Sequence, residues 1–94
     1  MPVQTEQRPM RVDEVVHFAS GDQLALHHLD TDVYYLLNEV GAFLWEHCDG
    51  ELTVDELVAE VADAFDVDDR TVGHDVRSWL AEMTEEDCIS FLAS

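Results

Sequence analysis

Apolar residues follow each other along the first half of the chain in patterns that predict three β-strands. β-branched residues dominate 12–19, apolar positions alternate across 23–29, and 33–37 is apolar on both faces. Turn-forming residues separate these runs, Ser-Gly-Asp at 20–22 and Asp-Thr-Asp at 30–32. Three consecutive strands joined by short turns form an antiparallel meander.

Apolar residues in the second half recur at helical spacing. The pattern predicts three helices, at residues 39–48, 54–65 and 69–84. Asn38 can cap the first helix, a T-x-x-E capping box from Thr53 to Glu56 opens the second, and Asp68 or Asp69 caps the third. We therefore predict an α+β domain of the winged helix-turn-helix type, with a three-stranded antiparallel sheet followed by three helices.

The two ends of the chain have different patterns. Residues 1–11 contain two prolines and no periodicity, so we expect a flexible N-terminal tail. Residues 12–94 are expected to form one domain, because 94 residues suit one modest core. The short apolar run from Cys88 to Ala93 is a candidate for a final strand.

Charge excludes several classes of partner. The chain has 22 acidic residues, four arginines and no lysine, with a formal net charge of −18. Nucleic-acid binding depends on cations that neutralise phosphates, and anionic membranes attract basic segments, so neither partner is expected. A partner with a basic or neutral face fits better. No apolar run is long enough to span a bilayer and no signal segment opens the chain, so we expect a cytoplasmic protein.

The residues that usually carry chemistry are scattered. No two histidines are four residues apart on a predicted helix, and Cys48 and Cys88 do not form a CxxC motif, so we expect neither a metal site nor a cofactor. A catalytic thiol needs a lowered pKa and a nearby base, and the sequence indicates neither. The many carboxylates lie on helix faces and in turns. We therefore expect no enzyme activity.

The third predicted strand suggests a binding function. Its two apolar faces, at a sheet edge beside the third helix, would give a groove with one backbone wall and one apolar wall. An extended peptide could pair with the strand and send alternate side chains toward Val76, Trp79, Leu80 and Met83. The same pattern also fits a helix and a strand that only pack in the core, and both interpretations remain open at this point.

One stretch resembles a known family. The run Tyr-Tyr-Leu-Leu-Asn-Glu-Val-Gly-Ala-Phe-Leu-Trp-Glu at 34–46, followed by Asp49-Gly50, resembles the PqqD-like family. Thr-Val-Asp-Glu-Leu at 53–57, Phe-Asp-Val-Asp at 65–68, and the spacing of Asp75-Val76 to Leu80 continue the resemblance, which covers about residues 12–92. Members of this family recognise the precursors of ribosomally synthesised, post-translationally modified peptides.

The resemblance implies a function without catalysis. Such domains bind the leader of a precursor peptide as an antiparallel strand on the third strand, against the third helix. They present the peptide to a separate modifying enzyme, which is a radical S-adenosylmethionine enzyme or, in lasso peptide systems, a leader peptidase and cyclase. The residues that the resemblance assigns to the peptide are Asp32, Val33, Tyr34, Tyr35, Leu36 and Leu37 on the strand and Val72, Val76, Trp79, Leu80 and Met83 on the helix.

The sequence departs from the family in charge. Members that act in pyrroloquinoline quinone synthesis usually have a more basic N-terminal stretch, whereas this chain lacks lysine and is strongly acidic. The departure suggests a leader that brings its own basic residues. The alternative function is a winged-helix protein–protein interaction or regulatory domain that does not bind DNA.

Overall fold

The computed structural model describes residues 6–92, which form five strands and three helices. In chain order these are β1 Arg8–Arg11, β2 Val15–Ser20, β3 Gln23–His28, β4 Val33–Leu37, α1 Glu39–His47, α2 Val54–Phe65, α3 Asp69–Glu85 and β5 Ile89–Leu92. The α+β class and the three-strand, three-helix core are confirmed, and the architecture fits a winged helix-turn-helix description. The strand predicted as the third is β4.

The main sheet is the predicted antiparallel meander, with strand order β2-β3-β4. Gly21 has a φ of 62° in the turn between β2 and β3, a conformation that a glycine adopts without strain. Tyr35 of β4 lies opposite Leu26 of β3, and Tyr34 lies opposite His27. This order leaves β4 at one edge of the sheet and β2 at the other.

The predicted caps begin the three helices. Asn38 Oδ1 accepts a hydrogen bond from the Gly41 backbone N–H at 2.8 Å, which satisfies one of the free donors in the first turn of α1. Thr53 and Glu56 form the reciprocal bonds of a capping box at α2. Asp68 caps α3. The caps explain why each helix begins where the sequence pattern predicts.

The N-terminal segment differs from the expected tail. Arg8–Arg11 form β1, which pairs antiparallel with β5. On its other side β1 contacts the connection between α1 and α2, where Arg11 N–H donates to the Cys48 carbonyl at 2.9 Å and Gly50 N–H donates to the Pro9 carbonyl at 3.1 Å. The tail was expected because residues 1–11 lack periodicity. The partners of this strand are distant in sequence, so no local pattern reveals it. Residues 1–5 of the expected tail lie outside the described residues.

The hydrophobic core lies between the inner face of the main sheet and the three helices. Trp45 is at its centre and is completely buried. Its indole N–H donates to His17 Nδ1 at 3.2 Å, which joins α1 to β2. Other fully buried core side chains are Leu26, Leu57, Val61, Val76, Leu80 and Ile89.

We expect that Arg11→Ala destabilises the fold. The guanidinium donates to the carbonyls of Trp45 and Glu46 at 2.8 and 2.9 Å, in the last turn of α1, where its charge offsets the negative end of the helix dipole. Losing hydrogen bonds from a charged donor costs about 2 kcal/mol. Urea unfolding measures the change, with Arg70→Ala as a control of equal charge at an exposed position. Equal stability of the two variants would contradict this role of Arg11.

Candidate functional site

The strand β4 has a free edge. Within residues 6–92, β4 pairs only with β3, so the backbone N–H and C=O groups on its other side have no strand partner. Its side chains alternate between the two faces of the sheet. Tyr34 and Leu36 lie on the outer face and are 60% and 63% exposed, whereas Leu37 on the inner face is only 6% exposed. A long apolar edge of this kind is an unused template for another strand.

A groove lies along this edge between β4 and α3. It has a volume of about 280 Å³. The residues that line it are Tyr35, Leu36, Leu37, Asn38, Gly41, Trp79, Glu82 and Met83. One wall is therefore the strand with its free backbone, and the other is the half-buried indole of Trp79 with its neighbours on α3. This combination suits an extended peptide.

A second cavity continues the groove between α1 and the first turns of α3. It has a volume of about 390 Å³ and shares Asn38, Gly41 and Trp79 with the groove. Gly41 permits the close approach of α3 to α1 here, because a Cβ at this position would lie 3.4 Å from Trp79 Nε1 and 3.3 Å from Asn38 Oδ1. The indole of Trp79 thus divides one long depression into two parts.

A hydrogen bond joins the two walls at the other end of the groove. The Tyr35 hydroxyl donates to Glu86 Oε2 at 2.9 Å, which connects β4 to the C-terminal end of α3. Burial and this bond raise the pKa of Tyr35 well above its usual range, so the phenol remains a proton donor at physiological pH. The contact therefore connects the two walls of the groove near the C-terminal end of α3.

The structure brings most of the predicted residues together, but in different roles. Trp79 and Met83 line the groove, and Val72 and Val76 line the second cavity. Leu80 is completely buried and lines neither, so its side chain supports the helix from below.

The strand residues also divide. Tyr35, Leu36 and Leu37 line the groove, while the side chains of Val33 and Tyr34 are exposed and line neither cavity. Asp32 lies in the turn before β4 with a φ of 58° and accepts a hydrogen bond from His27 Nε2 at 2.7 Å. Whether each residue contacts a peptide stays a prediction.

Three groove residues were not predicted as contacts. Asn38 and Gly41 are part of the motif that carries the family resemblance, and Asn38 was interpreted only as a helix cap. Glu82 was treated as part of a solvated helix face. Its position three residues after Trp79 places it on the same face of α3, and this spacing is the signal that would have identified it.

Among the described residues the side chains form no metal-ligand cluster, and the two cysteines are buried. Within residues 6–92, no three histidine, cysteine or acidic side chains are grouped closely enough to hold a metal. Burial raises the pKa of both the Cys48 and the Cys88 thiols, which lowers their reactivity as nucleophiles. Among the helices in this part of the chain, none is long and apolar enough to cross a membrane.

Comparisons with known proteins identify the same family. The family described as Coenzyme PQQ synthesis protein D (PqqD) matches residues 23–89, a range that contains the whole groove. TbiB1 in complex with the TbiA(beta) leader peptide has a TM-score of 0.78 and 27% identity, and the match covers 90% of this chain and 99% of that chain. Lasso peptide synthetase B1 complexed with the leader peptide also has a TM-score of 0.78, with 11% identity over 88% of this chain and 98% of that chain, which shows a shared fold alone. No curated protein matches the sequence.

We expect stability to fall as the pH rises above about 9. Burial raises the pKa of the Cys48 thiol from 9.0 to about 12. Between these values the unfolded chain has lost the thiol proton while the folded chain keeps it. The free energy of unfolding therefore falls by up to about 1.4 kcal/mol per pH unit from this group.

Urea unfolding of the wild type and of Cys48→Ala, from about pH 7.5 to 10.5, measures this contribution. The variant keeps Cys88 and Tyr35, whose pKa values are also raised, so the difference in slope isolates Cys48. Identical slopes would contradict the effect.

Proposed function

Because the chain belongs to the PqqD family, as the match over residues 23–89 shows, we propose that it binds the leader region of a ribosomally synthesised precursor peptide and presents it to a separate modifying enzyme. The observation that carries this proposal is the free edge of β4 beside the groove that Trp79 lines. The similarity to TbiB1, which was solved with a leader peptide, supports it.

The leader binds as an additional antiparallel strand on β4. Backbone N–H and C=O groups on the free edge supply the hydrogen bonds, which do not depend on the leader sequence. Alternate leader side chains then point toward α3 or toward the outer face of the sheet, because the side-chain period of a strand is two. Trp79 and Met83 receive the helix-facing side chains, while Leu36 contacts the outer ones.

The protein acts in this proposal as a binding partner without catalysis. The polar side chains at the groove are the Tyr35 phenol, the Asn38 amide and the carboxylates of Glu82 and Glu86. The phenol donates a hydrogen bond to Glu86, and its raised pKa makes it a poor nucleophile. Peptide modification then requires a second enzyme. We propose a radical S-adenosylmethionine enzyme, or a leader peptidase and cyclase as in lasso peptide systems. Since precursors of this class are made on ribosomes, the proposal places the protein in the cytoplasm.

We expect that Trp79→Ala weakens leader binding at least tenfold, about 1.4 kcal/mol. The substitution removes the largest apolar side chain from the helix wall, and large buried aromatics dominate binding energies at such contacts. Fluorescence anisotropy with the labelled leader of the cognate precursor measures the affinity. Leu37 is unsuitable for this test because it belongs to the core.

The matched control is Val16→Ala, which removes an exposed apolar side chain from β2 at the opposite edge of the sheet. Circular dichroism shows whether both variants are folded. Equal affinities of two folded variants would mean that the groove is not where the leader binds.

Strand addition also predicts a pattern of amide hydrogen exchange. Amides of β4 that point away from β3 have no strand partner in the free protein, so they should exchange more slowly once the leader pairs with them. Exchange measured by NMR with and without the leader reports each amide separately. Amides on the free edge of β2 serve as the internal control. If the leader slowed exchange there and not on β4, it would bind at the opposite edge of the sheet, and strand addition to β4 would be contradicted.

A further inference from the structure

One stripe of α3 faces the groove and carries three carboxylates around a single tryptophan. Asp75, Trp79, Glu82 and Glu86 follow each other at intervals of four, three and four residues, which places them on one side of the helix. Asp75 lines the second cavity, Glu82 lines the groove, and Glu86 is bonded to Tyr35 at the groove's end. The peptide-binding surface is therefore acidic along its helix wall.

Among the described residues that line the groove and the second cavity, none is a lysine or arginine that could neutralise these carboxylates. Arg77 of α3 donates to the Gly73 carbonyl of the same helix at 3.2 Å and lies 3.6 Å from Asp55 of α2. Arg11 is held by the carbonyls at the end of α1.

The helix dipole increases the negative potential at one end of the groove. The C-terminal end of a helix carries a partial negative charge that basic side chains normally offset. The last turn of α3 has no basic residue and instead contains Glu82 and Glu85, with Glu86 at the cap. A positive charge placed against this turn would meet both the carboxylates and the dipole.

The free strand edge determines what can supply that charge. A peptide paired with β4 has a side chain directed at α3 at every second residue, about 6.8 Å apart. Along the helix axis, Glu82 lies about 4.5 Å and Glu86 about 10.5 Å beyond Trp79, from a rise of 1.5 Å per residue. For a peptide that runs alongside α3, the next helix-facing position after the one that contacts Trp79 lies between these two carboxylates.

We propose that the groove selects a leader with a lysine or arginine two residues from the apolar side chain that packs on Trp79, and that Glu82 and Glu86 are the residues that read this basic side chain. The inference rests on the proposed function, because the strand pairing brings the basic side chain to the carboxylates. Glu82 and Glu86 determine specificity, while β4 and Trp79 provide the binding common to all leaders.

A library of random 15-residue peptides displayed on phage tests the proposal without knowledge of the natural leader. Phage are selected on the wild-type protein, and those that also bind Trp79→Ala are discarded, so that only groove-dependent peptides remain. We expect an apolar residue with lysine or arginine enriched two positions away. An equal excess of basic residues at every position would reflect the net charge alone and would overturn the proposal.

Isosteric variants then test the two carboxylates with one recovered peptide. Glu82→Gln should weaken its binding about two- to fivefold, the range expected for the loss of an exposed ion pair. Adding Glu86→Gln should weaken it further, while the amide still accepts the Tyr35 hydrogen bond. Glu85→Gln is the matched control, since Glu85 is exposed in the same turn, lines neither cavity, and changes the net charge equally.

A charge exchange completes the test. A peptide with glutamate in place of its basic residue should bind the wild type poorly and recover affinity on Glu82→Lys. Equal losses for Glu82→Gln and Glu85→Gln, or no recovery on Glu82→Lys, would overturn the assignment while leaving the proposed function intact. If no peptide requires Trp79, the proposed function fails and this inference fails with it.

Discussion

The burial of Trp45 is the contact on which the rest of the structure depends. The completely buried indole joins α1 to β2 through His17, and its backbone carbonyl accepts a hydrogen bond from Arg11 of β1. One residue therefore fixes the position of α1 relative to both sheets. Because Asn38 and Gly41 lie in the N-terminal turn of the same helix, this core contact also determines where one end of the groove lies.

The groove lies beside a strand, β4, that is buried on one face but unpaired along one backbone edge. Its inner face must contribute Leu37 to the core, yet its backbone edge stays open. The Tyr35–Glu86 bond and the close contact of Trp79 with Gly41 hold α3 beside the strand at both ends, so the helix covers the inner face without pairing with the edge. A free apolar edge is normally an aggregation hazard, and here a net charge of −18 opposes self-association.

In the proposed function, the backbone of β4 and the charges on α3 contribute to recognition in different ways. Hydrogen bonds to β4 accept any extended peptide, so they give affinity with little selectivity. Selectivity has to come from the helix wall, where the apolar surface of Trp79 alternates with carboxylates. In the proposed function, the acidity that disfavours nucleic acid also favours a basic leader. One physical property of the chain thus rejects one class of partner and attracts another.

The sequence by itself determined the elements that depend on local pattern. The strands β2, β3 and β4, the three helices and their caps at Asn38, Thr53 and Asp68 could all be predicted, because turn chemistry, capping and periodicity act between residues close in sequence. The family resemblance was also visible in residues 34–50. Spacing also identified the apolar residues of α3, although spacing alone did not separate core residues from those that line the groove; these residues are Val72, Val76, Trp79, Leu80 and Met83.

Only the tertiary structure decided how those elements are used. β1 becomes a strand because β5 and the connection after α1 lie on either side of it, and these partners are about 80 and 40 residues away along the chain. Leu80 and Trp79 are neighbours in sequence, yet one is core and the other faces the groove. The burial of a side chain and the distance between two elements depend on packing between segments that are far apart in sequence, so local sequence patterns do not reveal them.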